Sequence, residues 1–415
     1  MLRKYRIAIP VEKKDWLFSV LSWLDIRFSY FACFQHHEIA YPHGSFPQKI
    51  FAGNFAIGWE LLPEYESKSE IIGVLAYDFK NQLERLCSEN PSLVDCPEVA
   101  FFIPTLKISL EQNAMLIETE LNLDFKGLFD GSFFTNPKVD VIAHTDKTKY
   151  FEDIYAIRQH IEEGDMYELN YCMSFSFAET SWNPISGYLD LMSISPMPFS
   201  GLFKFEDNFL LAASPERFLK KEGLRLLAQP IKGTIKRGKD ELEDLALSEK
   251  LLASEKERAE NLMIVDLMRN DLSKISETGS VMVMELFGVY PFAKVHQMIS
   301  TVSSRLREGL GFKEIIEATF PMGSMTGAPK IKCMHLIEQY ENFKRGWFSG
   351  AFGMIHADGD FDFNVVIRSI IFDRAMGKGY FAVGSAITYD ADAAYEWEEC
   401  YLKAAAILDV LEKRS

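Results

Sequence analysis

Long apolar runs are missing from this 415-residue chain. No stretch approaches the ~20 apolar residues needed to cross a bilayer. The basic start at Arg3, Lys4 and Arg6 gives way to Glu12 and Lys13 without the apolar core of a secretory signal. Excess positive charge is also missing. With 60 acidic against 44 basic residues the formal charge is -16, the reverse of the basic footprint that nucleic-acid binding requires. The six cysteines (33, 87, 96, 172, 333 and 400) show no CxxC spacing, which argues against a disulfide framework and a cysteine zinc site. His36, His37 and His43 form the only histidine cluster and have no carboxylate or cysteine at ligand spacing. Internal repeats and low-complexity tracts are absent. These absences lead to the expectation of a soluble cytoplasmic protein with reduced thiols, bound to neither membrane nor nucleic acid.

Apolar and aromatic side chains are plentiful, at 48% and 13% of the chain, enough for a large core. Two regions are expected, 1–146 and 147–415. The first reads as sheet-rich, with a strand over 71–77, a short helix over 78–87 and a hairpin over 106–125 turning at Gln112 and Asn113. In the second, apolar residues at helical spacing predict a helix over 150–163, stopped by Gly164, and a strand over 166–177. No Pro/Gly-rich linker separates the regions, so one intertwined body is expected.

A strand over 224–228 leads into Pro230, Ile231, Lys232, Gly233 and Thr234, read as a glycine-bent loop. Lys232, between a bulky apolar residue and a glycine, is oddly placed for a solvated face. Glu216 follows another predicted strand. A lysine and a glutamate at neighbouring strand ends make a candidate nucleophile and general acid. Helices are predicted over 240–252 and from Ser254 to about 275, where Ser254 and Glu257 have capping-box spacing and Glu260 lies one turn on, facing inward. A last helix over 393–411 carries Glu396, Glu399 and Lys403 on one face. Two helices with paired glutamates point to a hard-cation site such as Mg²⁺. The loop over 321–330 precedes a helix over 331–340, so its amides and the Thr326 hydroxyl are a candidate anion site. Strands are expected over 350–355, 361–372 and 380–387.

Taken in order, the blocks 214–216, 230–238, 257–271, 295–301, 323–330, 364–368 and 396–403 resemble the chorismate-utilising enzymes. That family includes component I of anthranilate synthase and of aminodeoxychorismate synthase, isochorismate synthase and salicylate synthase. The resemblance spans about 147–408, and 75–81 is similar to the aminodeoxychorismate synthase branch. It implies an α+β, anthranilate-synthase-component-I-like fold of large antiparallel sheets packed together and flanked by helices. It also implies Lys232 as a covalent nucleophile that burial and cationic neighbours make neutral, and Glu216 as the acid that protonates the C4 hydroxyl of chorismate. Mg²⁺ would bind Glu260 and Glu399, with Glu257 and Glu396 as outer ligands. Substrate contacts are expected from Gly233, Thr234, His296, Thr326, Phe348, Arg368, Gly384 and Lys403.

Lysine in the 230–234 block is the mark of the aminodeoxychorismate synthase branch; anthranilate synthases have alanine there. The implied activity is conversion of chorismate and ammonia to 4-amino-4-deoxychorismate, on the route to p-aminobenzoate and folate. No Gly-x-Cys-x-Gly elbow is present, so ammonia is expected from a separate class I glutamine amidotransferase subunit. Three positions depart from the pattern: Phe348 replaces a common tyrosine, Ala386 a second glycine, and Glu168 the glutamine usual in amine-transferring branches. The alternatives are an anthranilate synthase that carries a lysine, releasing pyruvate, and a non-catalytic regulatory binding subunit. The intact set of Glu216, Lys232, Glu260 and Glu399 argues against the last.

Overall fold

In the computed structural model, residues 2–292 and 294–412 are described; Met1, Ala293 and the last three residues of the second region lie outside them. Among the described residues, two antiparallel sheets of 12 and 10 strands form the body. Helices flank them, which is the α+β architecture expected.

Both sheets run across position 146. In the larger sheet, Tyr30–Gln35 pairs with Phe199–Phe205. In the smaller, Ile71–Leu75 pairs with Ala351–Ile355. Aromatic side chains fill the space between the sheets. Phe34 of the larger sheet stacks on Phe352 of the smaller with ring centroids 4.8 Å apart, an offset geometry that adds to simple area burial. Gly201 makes room for that ring, because a Cβ there would lie 2.5 Å from Phe352 Cε1.

The 106–125 hairpin forms as Leu106–Leu110 paired with Ala114–Thr119. The helix read over 78–87 is shorter, a 3₁₀ turn Tyr77–Phe79 followed by Lys80–Leu83. The segment read as one strand over 361–372 is two. Phe361–Val365 belongs to the smaller sheet and Ser369–Asp373 to the larger. The chain changes sheet between them, and Arg368 takes a φ of 51° at the crossing. Apolar continuity concealed this break, because both pieces are buried.

Two helices bring the carboxylates inward. Asp392 caps Ala393–Leu411 by accepting from the Tyr395 amide. Its buried residues include Ala393, Glu396, Cys400, Ala404, Ile407 and Leu411, a stripe at helical spacing that includes Glu396. Ser254 caps Glu255–Ser273 by accepting from the Glu257 amide, while the Ser254 amide goes to Leu251 O. Only half of a capping box therefore forms. Glu260 opens the buried face that continues through Ile264 and Met268.

Candidate active site

The predicted lysine loop is a strand. Ile231–Lys236 pairs with Val295–Arg305, with an irregularity in register between Ile231 and Thr234. Gly233 lies in that irregularity at φ 93°, and a Cβ there would press on the Glu257 side chain at 3.1 Å. Glycine is thus required both for backbone conformation and for close approach to the next helix. The bulge turns Lys232 into a cavity of about 540 Å³ that Glu216, Arg368, Gly384, Glu399 and Lys403 also line.

Glu216 is buried just beyond Asn208–Ser214. Burial raises its pKa to about 7, opposed by hydrogen bonds from the Ser324 hydroxyl and the Ile231 amide and by the charge of Lys232. A carboxyl poised near neutrality is the form a general acid needs. Ser324 carries no signal of its own in the sequence beyond lying in the 323–330 block.

Lys232 differs from expectation. Its Nζ donates to Glu168 Oε1 at 2.7 Å. Burial lowers the ammonium pKa, but Glu168 and Glu260 outweigh that and hold it above the usual lysine value. Of the cations expected to lower it, Lys236, Arg237 and Mg²⁺, Arg237 turns away to Asp244 and Phe292 O, and Lys236 lines the cavity but is exposed.

Glu257, Glu260, Glu396 and Glu399 all face the cavity. Burial and the charge of Glu399 raise the pKa of both Glu257 and Glu396, and burial raises that of Glu260 to about 7. Glu399 is the exception: burial favours its neutral form, yet Lys403 at 2.6 Å holds it below the usual range. Lys256 crosses between the helices, 3.1 Å from Glu396 and 3.8 Å from Glu260. Glu260 Oε1 is buried with no hydrogen-bond partner, its contact with Lys256 being only the longer ion pair. An all-oxygen set with a spare buried acceptor fits Mg²⁺. Lys256 was missed because a lysine in a first helical turn reads as solvated.

Arg368 lines the cavity with no ion pair among the described residues. Lys403 donates to Gly384 O at 2.9 Å. Thr234 and Phe348 also line the wall. Two predicted contacts do not reach it. His296 is buried with Nε2 bonded to Asp244 Oδ1 at 2.9 Å. Strand alternation sends its neighbours Val295 and Gln297 to the cavity instead. The Thr326 hydroxyl donates to Met322 O and Gly323 O, and its amide goes to Gly323 O, so it closes its own turn rather than meeting an anion.

A separate ligand-like cluster, His160, Glu163 and Asp165, lies away from this cavity. Its histidine is already held by Asp165 and Tyr340.

The chain matches the chorismate binding enzyme family over residues 52–409. It is 42% identical over 270 residues to an aminodeoxychorismate synthase of Streptomyces griseus, covering 64% of this chain but only 37% of that one. It is 32% identical over 352 residues to aminodeoxychorismate synthase component 1 of Escherichia coli (strain K12), covering 82% of this chain and 77% of the relative. The crystal structure of anthranilate synthase component I from Streptococcus pneumoniae TIGR4 superposes with a TM-score of 0.75 at 25% identity, covering 98% and 92% of the two chains. No helix among the described residues is long and apolar enough to cross a membrane. The chain belongs to the chorismate binding enzymes.

Proposed function

We propose that this chain converts chorismate and ammonia to 4-amino-4-deoxychorismate, the precursor of p-aminobenzoate. The observation that carries this reading is that Lys232 and Glu216, from separate strand ends, meet in one cavity. Lys232 marks the branch, and it shares the cavity with Glu216, whose carboxyl is held near neutrality. In this reading Lys232 bonds to C2 of the ring while Glu216 protonates the departing C4 hydroxyl; ammonia then enters at C4 and the lysine leaves. Covalent catalysis divides one difficult substitution into two.

Chorismate is a dianion, and the chain carries a net charge of -16. Arg368, which has no ion pair among the described residues, lines the cavity together with Lys403, Gly233 and Thr234. One substrate carboxylate binds there. Glu260 and Glu399 would hold Mg²⁺ directly, with Glu257 and Glu396 as outer ligands. When bound, Mg²⁺ supplies a positive clamp for the ring carboxylate. In this reading ammonia comes from a separate class I glutamine amidotransferase subunit, which agrees with the component 1 name of the Escherichia coli relative.

Intact-mass measurement of the protein with chorismate, Mg²⁺ and no ammonia tests the covalent route. An adduct that maps to Lys232 supports it. A protein of unchanged mass, under conditions where ammonia addition gives turnover, rejects it.

A further inference from the structure

Where the family resemblance leads one to expect an amide, Glu168 places a carboxylate against the reactive amine. It opens the strand Glu168–Ala178, and 1% of its side chain is exposed. One oxygen accepts from Lys232 at 2.7 Å. The other, Oε2, is buried and has no hydrogen-bond partner. A buried carboxylate normally engages both oxygens, so one free oxygen beside a nucleophile is a spare proton acceptor. Lys232 also faces Glu260 of the Glu255–Ser273 helix and Glu216 just beyond Asn208–Ser214. Glu257, Glu399 and Lys403 act on it from further off. Of these groups only Glu168 is hydrogen-bonded to the amine.

We infer that Glu168 takes the proton that Lys232 must lose before it attacks, and returns that proton when the lysine leaves. This rests on the covalent reading given above. The proton balance closes. The Lys232 ammonium passes a proton to Glu168, and the freed amine forms the N–C2 bond as both ring double bonds shift, C1=C2 to C1=C6 and C5=C6 to C4=C5. The C4–O bond breaks, and the hydroxyl leaves as water with the Glu216 proton. In the return step ammonia bonds to C4 and the N–C2 bond breaks. Glu168 restores the lysine proton, and the new C4 ammonium reprotonates Glu216. The two glutamates thus serve opposite ends of one exchange, Glu168 at the nucleophile and Glu216 at the leaving group.

A structural role for Glu168 predicts the opposite kinetics. If it only held Lys232 charged, its removal would free the amine and speed the attack. The test is single-turnover adduct formation without ammonia, followed by intact mass between pH 7 and 9, for wild type, Glu168→Gln and Glu168→Asp. For Glu168→Gln the expected result is formation slowed by roughly 10²–10⁴-fold at pH 7, with that gap closing by about tenfold per pH unit as hydroxide replaces the base. Glu168→Asp, which keeps the carboxylate, should stay within about tenfold of wild type. Melting temperature and equilibrium chorismate binding control for folding. A Glu168→Gln protein that forms adduct as fast as wild type, or faster, at every pH overturns the inference alone. Equal loss in both variants also overturns it, since proton transfer survives in the aspartate. A wild type that forms no adduct overturns the covalent reading, and this inference with it.

Discussion

Lys232 Nζ lies 2.7 Å from Glu168 Oε1, with 10% and 1% of the two side chains exposed. Removing one member of such a buried pair strands the other charge, which typically costs about 3–5 kcal/mol. Lys232→Ala should therefore lose stability as well as adduct formation. The double variant Lys232→Ala/Glu168→Gln should regain much of the stability and none of the turnover, as followed by thermal melting and single-turnover assay. Restored turnover in the double variant would show that the lysine is not the nucleophile.

Glu216 must be protonated to act as an acid, and its pKa is raised to about 7. The group is in its working form below that value and loses its proton above it, so adduct formation should fall as pH rises through 7. Glu216→Gln should slow the step by roughly 10²–10⁴-fold and abolish this alkaline limb while chorismate still binds. Measuring the step without ammonia separates this limb from the opposite pH dependence of free ammonia. A Glu216→Gln protein with near-normal rate would place the proton source elsewhere.

Calorimetric Mg²⁺ titration of Glu260→Gln and Glu399→Gln should show affinity weakened by about tenfold or more in each, as expected for loss of an anionic oxygen ligand. Unchanged binding isotherms in both would remove these residues from the metal site.

Behind the cavity, Arg345 pairs with Glu341 at 2.5 Å, each 1% exposed. Arg345 also donates to Met325 O and Asn170 O, and both of those residues line the cavity. Glu341→Ala would leave a buried guanidinium unpaired, at about 3–5 kcal/mol. The expected outcome is a clear drop in melting temperature together with weaker chorismate binding. A melting temperature within a degree of wild type would contradict this account of the wall.

Much of this site was legible from residue order. Glu260 reads as inward-facing because an apolar stretch follows it, and Glu396 reads as sharing a face with Glu399 and Lys403, since a 3.6-residue repeat can be read without coordinates. The strand carrying Lys232 was read as a loop because Pro230 and Gly233 signal a turn, whereas pairing with Val295–Arg305 is a long-range contact that no local pattern reveals. His296 is expected at the substrate from the resemblance alone; which side of its strand it takes depends on register, and a shift of one residue exchanges the two faces. Glu168, the partner of Lys232, lies 64 positions away in sequence, a contact that no local pattern reveals.

Product analysis after incubation of the purified chain with chorismate, Mg²⁺ and an ammonium salt tests the central claim most directly. The account predicts 4-amino-4-deoxychorismate with the enolpyruvyl group retained and no pyruvate released. Anthranilate accompanied by an equal amount of pyruvate would contradict it.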